Sequence, residues 1–320
     1  MNSMELKFWG VRGSIPTPMP SSEIEKMMVR ALTKASPKDI KNSRAARAFV
    51  KRLPFPERGA FGGNTACVEL QAGNTEIILD AGSGLKNLGK ELMKREFGKG
   101  KGEAHIFISH THWDHIQGFP FFTPAFIPGN KITIYSPLDD IAQRFKEQNR
   151  FEFFPVTFDK LASAINFVTL TPGEPVTING EVTVNFIELN HPGRAFGYRI
   201  EHQGKKVMYA TDVEYTDLGE NPIRNYVDFY HGCDVLISDS QYTLAETFNK
   251  KFWGHSSAMM GVELALAANI KTLVLFHHEP EYNNATINKI LKQAHSYMRY
   301  IPSGKRCDIL IGREGLIIKL

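Results

Sequence analysis

The chain has 320 residues, 42% of them hydrophobic, with 38 basic against 34 acidic side chains and a formal net charge of +4. A chain of this length can bury most of the surface its unfolded form exposes, as one large domain or two ordinary ones. The small positive excess argues against a non-specific polyanion binder while leaving small anions and nucleic acid open, and the scattered Cys67, Cys233 and Cys307 imply no disulfide framework.

The first residues show no charged head followed by an apolar core, and no later run reaches the length of a membrane span, so a cytoplasmic protein without membrane attachment is expected. Leu6 to Trp9 alternates like a strand and enters the small-residue turn Gly10-Val11-Arg12-Gly13-Ser14. A basic helical insertion follows at about 18–58. Ser21 or Ser22 is expected to cap a helix carrying Ile24, Met27, Met28 and Leu32, and a second helix to carry Ile40, Ala45, Ala48 and Phe49. Ten Lys/Arg stand against four Asp/Glu between residues 21 and 58, which suits a solvated helical face better than a dedicated phosphate cap. Strands are expected over 61–70 and 76–79, then a helix over 85–97 and a strand at Ile106 to Ile108. Beyond it, Phe119, Phe121 and Phe122 read as wall packing, and Phe151 to Phe154 as a lid or a subunit contact. Strands are expected again at 131–135, 167–170, 182–189, 197–200, 206–210, 235–237 and 272–276, with helices near 255–266 and 285–297 and a closing strand-like run at 308–318. The two clusters of strands, each followed by helices, suggest two sheet-plus-helix halves facing each other.

The strand at 106–108 runs into Ser109-His110-Thr111-His112-Trp113-Asp114-His115, which places three imidazoles and a carboxylate within six positions. Those are ligands for zinc, manganese or iron. Side chains two apart at a strand end point the same way, so His110 and His112 can grip one ion while Asp114 and His115 reach a second. Further apolar strands lead to His191, Asp212 and His277, and together these residues define a metal site.

The order His-x-His-x-Asp-His, then a later His, a later Asp and a final His, resembles the metallo-β-lactamase superfamily over essentially the whole chain apart from the insertion. The resemblance implies one α/β domain over residues 1–320, an αββα sandwich of two facing mixed sheets with helices on the outer faces. It implies two divalent metals, zinc by preference with manganese or iron as alternatives. His110, His112 and His191 would hold one, Asp114, His115 and His277 the other, and Asp212 would bridge, with Asp80 supporting the histidines from behind. His278 is the alternative to His277. Leu236-Ile237-Ser238-Asp239 followed by Trp253-Gly254-His255-Ser256 is similar to the ribonuclease Z branch, which makes His255 the general acid and Asp239 its orienting carboxylate, beside Asp114. Asp239 is one methylene shorter than the Glu usual there, and no long Gly/Lys-rich arm is present. Phe8-Trp9-Gly10-Val11-Arg12-Gly13-Ser14 with Gly62-Gly63-Asn64-Thr65 resembles more closely a group of small phosphodiesterases that act on cyclic nucleotides.

The leading expectation is therefore a phosphodiesterase acting on a small phosphodiester, a cyclic nucleotide first, by attack of a metal-activated hydroxide. Arg12, Asn64, Arg194 and His278 are its expected substrate contacts. The alternatives are a ribonuclease Z-like endoribonuclease that clamps precursor RNA with the insertion, and a lactonase or thioesterase on the same metals. A homodimer is expected, with residues 151–154 as its candidate contact.

Overall fold

A computed structural model describes residues 4–215, 220–302 and 304–320. In chain order the first half contributes β1 (Met4–Gly10), β2 (Cys67–Ala72), β3 (Thr75–Leu79), β4 (Glu103–Phe107), β5 (Lys131–Ser136) and β6 (Ala164–Thr169). The second contributes β7 (Val176–Ile178), β8 (Val182–Leu189), β9 (Ala195–His202), β10 (Lys205–Ala210), β11 (Val235–Asp239), β12 (Thr272–Phe276) and β13 (Asp308–Ile311). The last strand, β14 (Ile317–Lys319), crosses back and pairs with β1, Leu6 opposite Ile318. Two seven-stranded mixed sheets result, ordered β14-β1-β2-β3-β4-β5-β6 and β13-β12-β11-β10-β9-β8-β7. The expected strand-like close at 308–318 is thus two strands, one in each sheet.

Strand periodicity explains why the sheets face each other. Val207, Tyr209, Val235, Ile237, Val274 and Phe276 point inward and pack with Phe8, Phe107 and Tyr198 in a core shared by both sheets. Their neighbours Met208, Leu236, Leu273 and Leu275 point outward into a second apolar cluster with Val262, Ala265, Ile287 and Ile290. Because helices cover that outer face, β10 to β12 read as continuous apolar runs rather than alternating ones.

The helices are α1 (Ser21–Lys34), α2 (Ser43–Arg52), α3 (Phe55–Arg58), α4 (Leu85–Leu92), α5 (Trp113–Ile116), α6 (Ile141–Gln148), α7 (Glu220–Tyr230), α8 (Leu244–Asn249), α9 (Ala258–Ala267) and α10 (Asn284–Tyr300). β7, α7 and α8 were not expected from the sequence, although Thr243 and Glu246 form a capping box that marks α8. The insertion forms α1 to α3, with two departures from expectation. The N-cap of α1 is Pro20, without a side-chain cap, rather than a serine. Ile40 precedes α2, whose cap is Asn42. No residue of α1 is buried, and α2 buries only Phe49. Asn284 Nδ2 ties the insertion to α10 by donating to the carbonyls of Pro56 and Gly59, at 3.1 and 2.8 Å.

Two expected substrate contacts turn out to be structural anchors. Arg12 is buried, and its guanidinium donates to the carbonyls of Gly62, Glu279 and Tyr282, each at 2.9 Å. It joins the first turn of the chain to loops about fifty and 270 residues away. Asn64 donates from Nδ2 to Glu314 and accepts from Ser83 Oγ, both at 3.1 Å. Arg12→Ala would leave three carbonyls short of a charged donor. The expected loss of stability is about 3 kcal/mol or more, measured as a lowered urea midpoint, with only partial recovery in Arg12→Lys because an ammonium lacks the planar fork.

Candidate metal centre

Four strand ends and one short helix supply the centre. β4 continues through Ile108 and Ser109 to His110 and His112, and α5 opens at once, so Asp114 and His115 lie in its single turn. β8 leads to His191, β10 to Asp212 and β12 to His277. Asp80, Asp212 and His277 follow their strands with φ of 59°, 54° and 60°. A non-glycine residue in this left-handed region costs roughly 1–2 kcal/mol and is found mostly where surrounding structure and function demand it. Here it turns each side chain off its strand and into the space between the sheets.

The residues form two sets that share Asp212. His110, His112, His191 and Asp212 offer ligand atoms all within 4.8 Å of one another, and so do Asp114, His115, Asp212 and His277. Asp212 Oδ2 faces His110 Nε2 at 3.6 Å and His191 Nε2 at 3.8 Å. Its Oδ1 faces His115 Nε2 at 3.3 Å and His277 Nε2 at 3.2 Å. Asp114 Oδ2 lies 3.3 Å from His115 Nε2 and 3.1 Å from His277 Nε2, and also accepts the Ser14 N–H at 2.7 Å.

The back of each ring explains what its front can bind. Asp80 faces His115 Nδ1 at 2.7 Å, Gln241 Oε1 faces His277 Nδ1 at 2.8 Å, and the Gly254 carbonyl faces His191 Nδ1 at 2.9 Å. A ring that donates from Nδ1 presents a bare lone pair at Nε2. Two such nitrogens, of His115 and His277, lie 3.3 Å apart. His110 Nε2 is buried with no hydrogen-bond partner. Burial, reinforced by neighbouring His115, pushes the His110 imidazole well below its usual range. Burial would lower His115 too, but Asp212, Asp114 and Asp80 pull it well above. Asp114 is pushed up by burial yet held far below the carboxylate range by His115 and His277. Converging ring nitrogens, an orphaned buried nitrogen and buried carboxylates form a donor set that fits divalent cations.

Beside this cluster, Asp239 is fully buried and faces His255 Nδ1 at 2.7 Å, while its Oδ1 accepts the N–H groups of Gln241 and Ser256 at 3.0 and 3.1 Å. Asp212, Asp239, His255 and His277 form a third set within 4.8 Å, and the His255 ring stacks on that of His277 with centroids 5.0 Å apart. Burial alone would lower His255, but Asp239 pulls it up to about 9. His255 does not cap the following helix, because Ser257 does.

Two other expected contacts lie outside the cluster. Arg194 is exposed and bonds Glu188 through both Nε and Nη2. His278 turns away to face the Gly312 carbonyl at 2.8 Å, and burial pushes its imidazole to about 3. Phe119 and Phe122 are buried as wall packing, while Phe121 is exposed. Sequence reasoning missed Tyr209, whose hydroxyl donates to Asp80 at 2.8 Å, and Gln241 behind His277. The inward alternation of β10 pointed to Tyr209, whereas nothing local marks Gln241.

Fold and centre together define a metal-dependent hydrolase of the two-sheet sandwich class. The sequence profile of the beta-lactamase superfamily domain matches residues 75–278, and the chain belongs to that superfamily. It is 26% identical over 288 residues to ribonuclease Z of Picrophilus torridus, covering 76% of this chain and 87% of that one. The metallo-beta-lactamase fold protein YhfI of Bacillus subtilis matches with a TM-score of 0.64 at 16% identity over all of both chains. Human tRNase Z, short form, matches with 0.59 at 17% identity over 98% of each. At these identities the two solved structures share the fold. No helix among the described residues is long and apolar enough to cross a membrane.

Asp80 accepts from Ser109 N and Oγ and from Tyr209 while it orients His115. Asp80→Asn is therefore expected to weaken divalent-metal affinity by about 10- to 100-fold, read by competition with a chromophoric chelator.

Proposed function

We propose that the chain is a phosphodiesterase that cleaves RNA, an endoribonuclease of the kind its ribonuclease Z relative represents. The observation that carries this reading is the His255–Asp239 pair stacked against the cluster. His110, His112 and His191 would hold one cation and Asp114, His115 and His277 a second, bridged by Asp212, with zinc suited to so imidazole-rich a set. Such a pair, when bound, activates water near neutral pH and screens the charge of a phosphate under attack.

The rest falls to the protein. As hydroxide adds to phosphorus, the P–O bond to the sugar breaks and the sugar oxygen departs as an alkoxide, which needs a proton. His255, its Nδ1 committed to an Asp239 carboxylate that favours the protonated ring, donates that proton from Nε2. Asp239 cannot swing away, since two backbone N–H groups pin its other oxygen. A thioester releases a thiolate, a much less basic leaving group with less use for such a donor. The basic surface of α1 and α2 offers Lys and Arg to the RNA backbone, which makes binding salt-dependent.

A small cyclic phosphodiester is the second reading. The turn that resembles cyclic-nucleotide phosphodiesterases lies against the centre, where the Ser14 N–H meets Asp114. A panel of 3′-extended precursor RNA, cyclic mononucleotides and cyclic dinucleotides, offered to metal-loaded protein, decides between them. Cleavage of the RNA alone upholds the first reading, and turnover of cyclic nucleotides alone replaces it with the second. His255→Ala is expected to keep its metal and to lose roughly 10²- to 10⁴-fold in turnover. Because the protonated ring is the active form, wild-type turnover falls as pH rises through the His255 pKa. That limb lies no higher than about 9, since bound cations lower it. It should be missing from the residual activity of the variant.

A further inference from the structure

The turn between α8 and α9, residues 250–255, is held as a unit. Glu214, itself buried, accepts the N–H groups of Phe252 at 3.0 Å and Gly254 at 2.9 Å. The Gly254 carbonyl in turn faces His191 Nδ1 at 2.9 Å. A Cβ at position 254, where φ is 83°, would stand 2.1 Å from that nitrogen, so only glycine lets the chain pass so close to the ring. His255 follows directly. The same clamp keeps Phe252 in the left-handed region at φ 69°, where a bulky residue is strained.

What this clamp presents is two aromatic side chains in water. Phe252 is 80% exposed and Trp253 62% exposed, and among the described residues no aromatic ring packs on either. Two lysines adjoin them. Lys250 Nζ lies 5.7 Å from the Trp253 ring centre and 3.9 Å from Glu279. Lys251 borders, with Phe248 and His255, a hollow of about 190 Å³. Leaving large apolar rings exposed forgoes the gain of burying them, and here the turn that does so is held by a buried carboxylate and runs into His255.

Flat apolar surface interleaved with positive charge is what a nucleotide meets in single-strand binding proteins, the base on an aromatic face and the phosphate on a lysine. We propose that the Phe252–Trp253 turn is a stacking platform for the nucleobase on the leaving-group side of the scissile phosphate, with Lys251 meeting the adjoining phosphate. The leaving-group side is assigned because the turn is continuous with His255. This rests on the endoribonuclease reading above.

The test uses metal-loaded full-length protein and a short single-stranded RNA, alongside the same RNA made abasic at the leaving-group nucleotide. Trp253→Ala should lower kcat/KM on the intact RNA by roughly 5- to 100-fold, mainly through KM, and leave the abasic RNA unchanged. Trp253→Phe should recover most of the loss. Equal loss on both RNAs, or loss on neither, overturns the platform while the nuclease reading stands. Equal loss together with dissociation of a dimer on gel filtration would assign the turn to a second copy of this chain and likewise overturn it. Should wild-type protein cleave no RNA, the nuclease reading fails, and titration of the uncleaved RNA decides the platform. Saturable quenching of tryptophan fluorescence that is lost in Trp253→Phe upholds it, and its absence overturns it.

Discussion

Asp212 stands between two groups of imidazoles with one carboxylate oxygen turned to each, Oδ2 toward His110 and His191 and Oδ1 toward His115 and His277. Much of the remaining structure follows from keeping that carboxylate and those rings in place without water. Burying this many ligand atoms is unfavourable unless positive charge joins them. The surroundings answer with fixed acceptors behind the rings rather than donors in front of them. Asp80, Gln241 and the Gly254 carbonyl each occupy an Nδ1, so the opposite nitrogens all aim inward. The centre is thus pre-organised by hydrogen bonds one layer removed from it.

That outer layer also joins binding to chemistry. Asp239 orients His255 and pins the backbone of Gln241, and Gln241 in turn orients His277. Glu214 shapes the turn whose Gly254 steadies His191 and whose next residue is His255. A change in either acid would therefore reach both an imidazole of the cluster and His255. Effects at such coupled positions are non-additive.

The first turn of the chain and the insertion belong to a different layer. Arg12 holds two loops through three of their carbonyls, while Ser14 lies against Asp114 and Gly13 against His277. The insertion adds helices that bury almost nothing of their own, held to α10 by Asn284 and leaving a basic, partly apolar surface in water. Such a surface contributes little to the stability of the sandwich.

Some of this was readable in the chain itself. His110, His112, Asp114 and His115 are neighbours in sequence, so local geometry alone brings them together, and His191, Asp212 and His277 each follow an apolar strand that could only be buried. Phe119 and Phe122 also read correctly as wall packing. Other features depended on contacts between distant segments. Whether His277 or His278 turns inward is set by one left-handed φ at the end of β12 and by the Gly312 carbonyl waiting for the second ring. The hydrogen bonds of Arg12 and Asn64 to distant loops, and of Arg194 to Glu188, are likewise not visible in the residues beside them. β14 reads as a continuation of β13, yet it returns to the opposite sheet, where the edge of β1 is open to it. Sequence by itself determined the ligand types, their order and the alternation that buries two sheets. Tertiary structure alone decided which polar side chains remained free for chemistry, because a hydrogen bond claimed by a distant backbone leaves no trace in the residues around it.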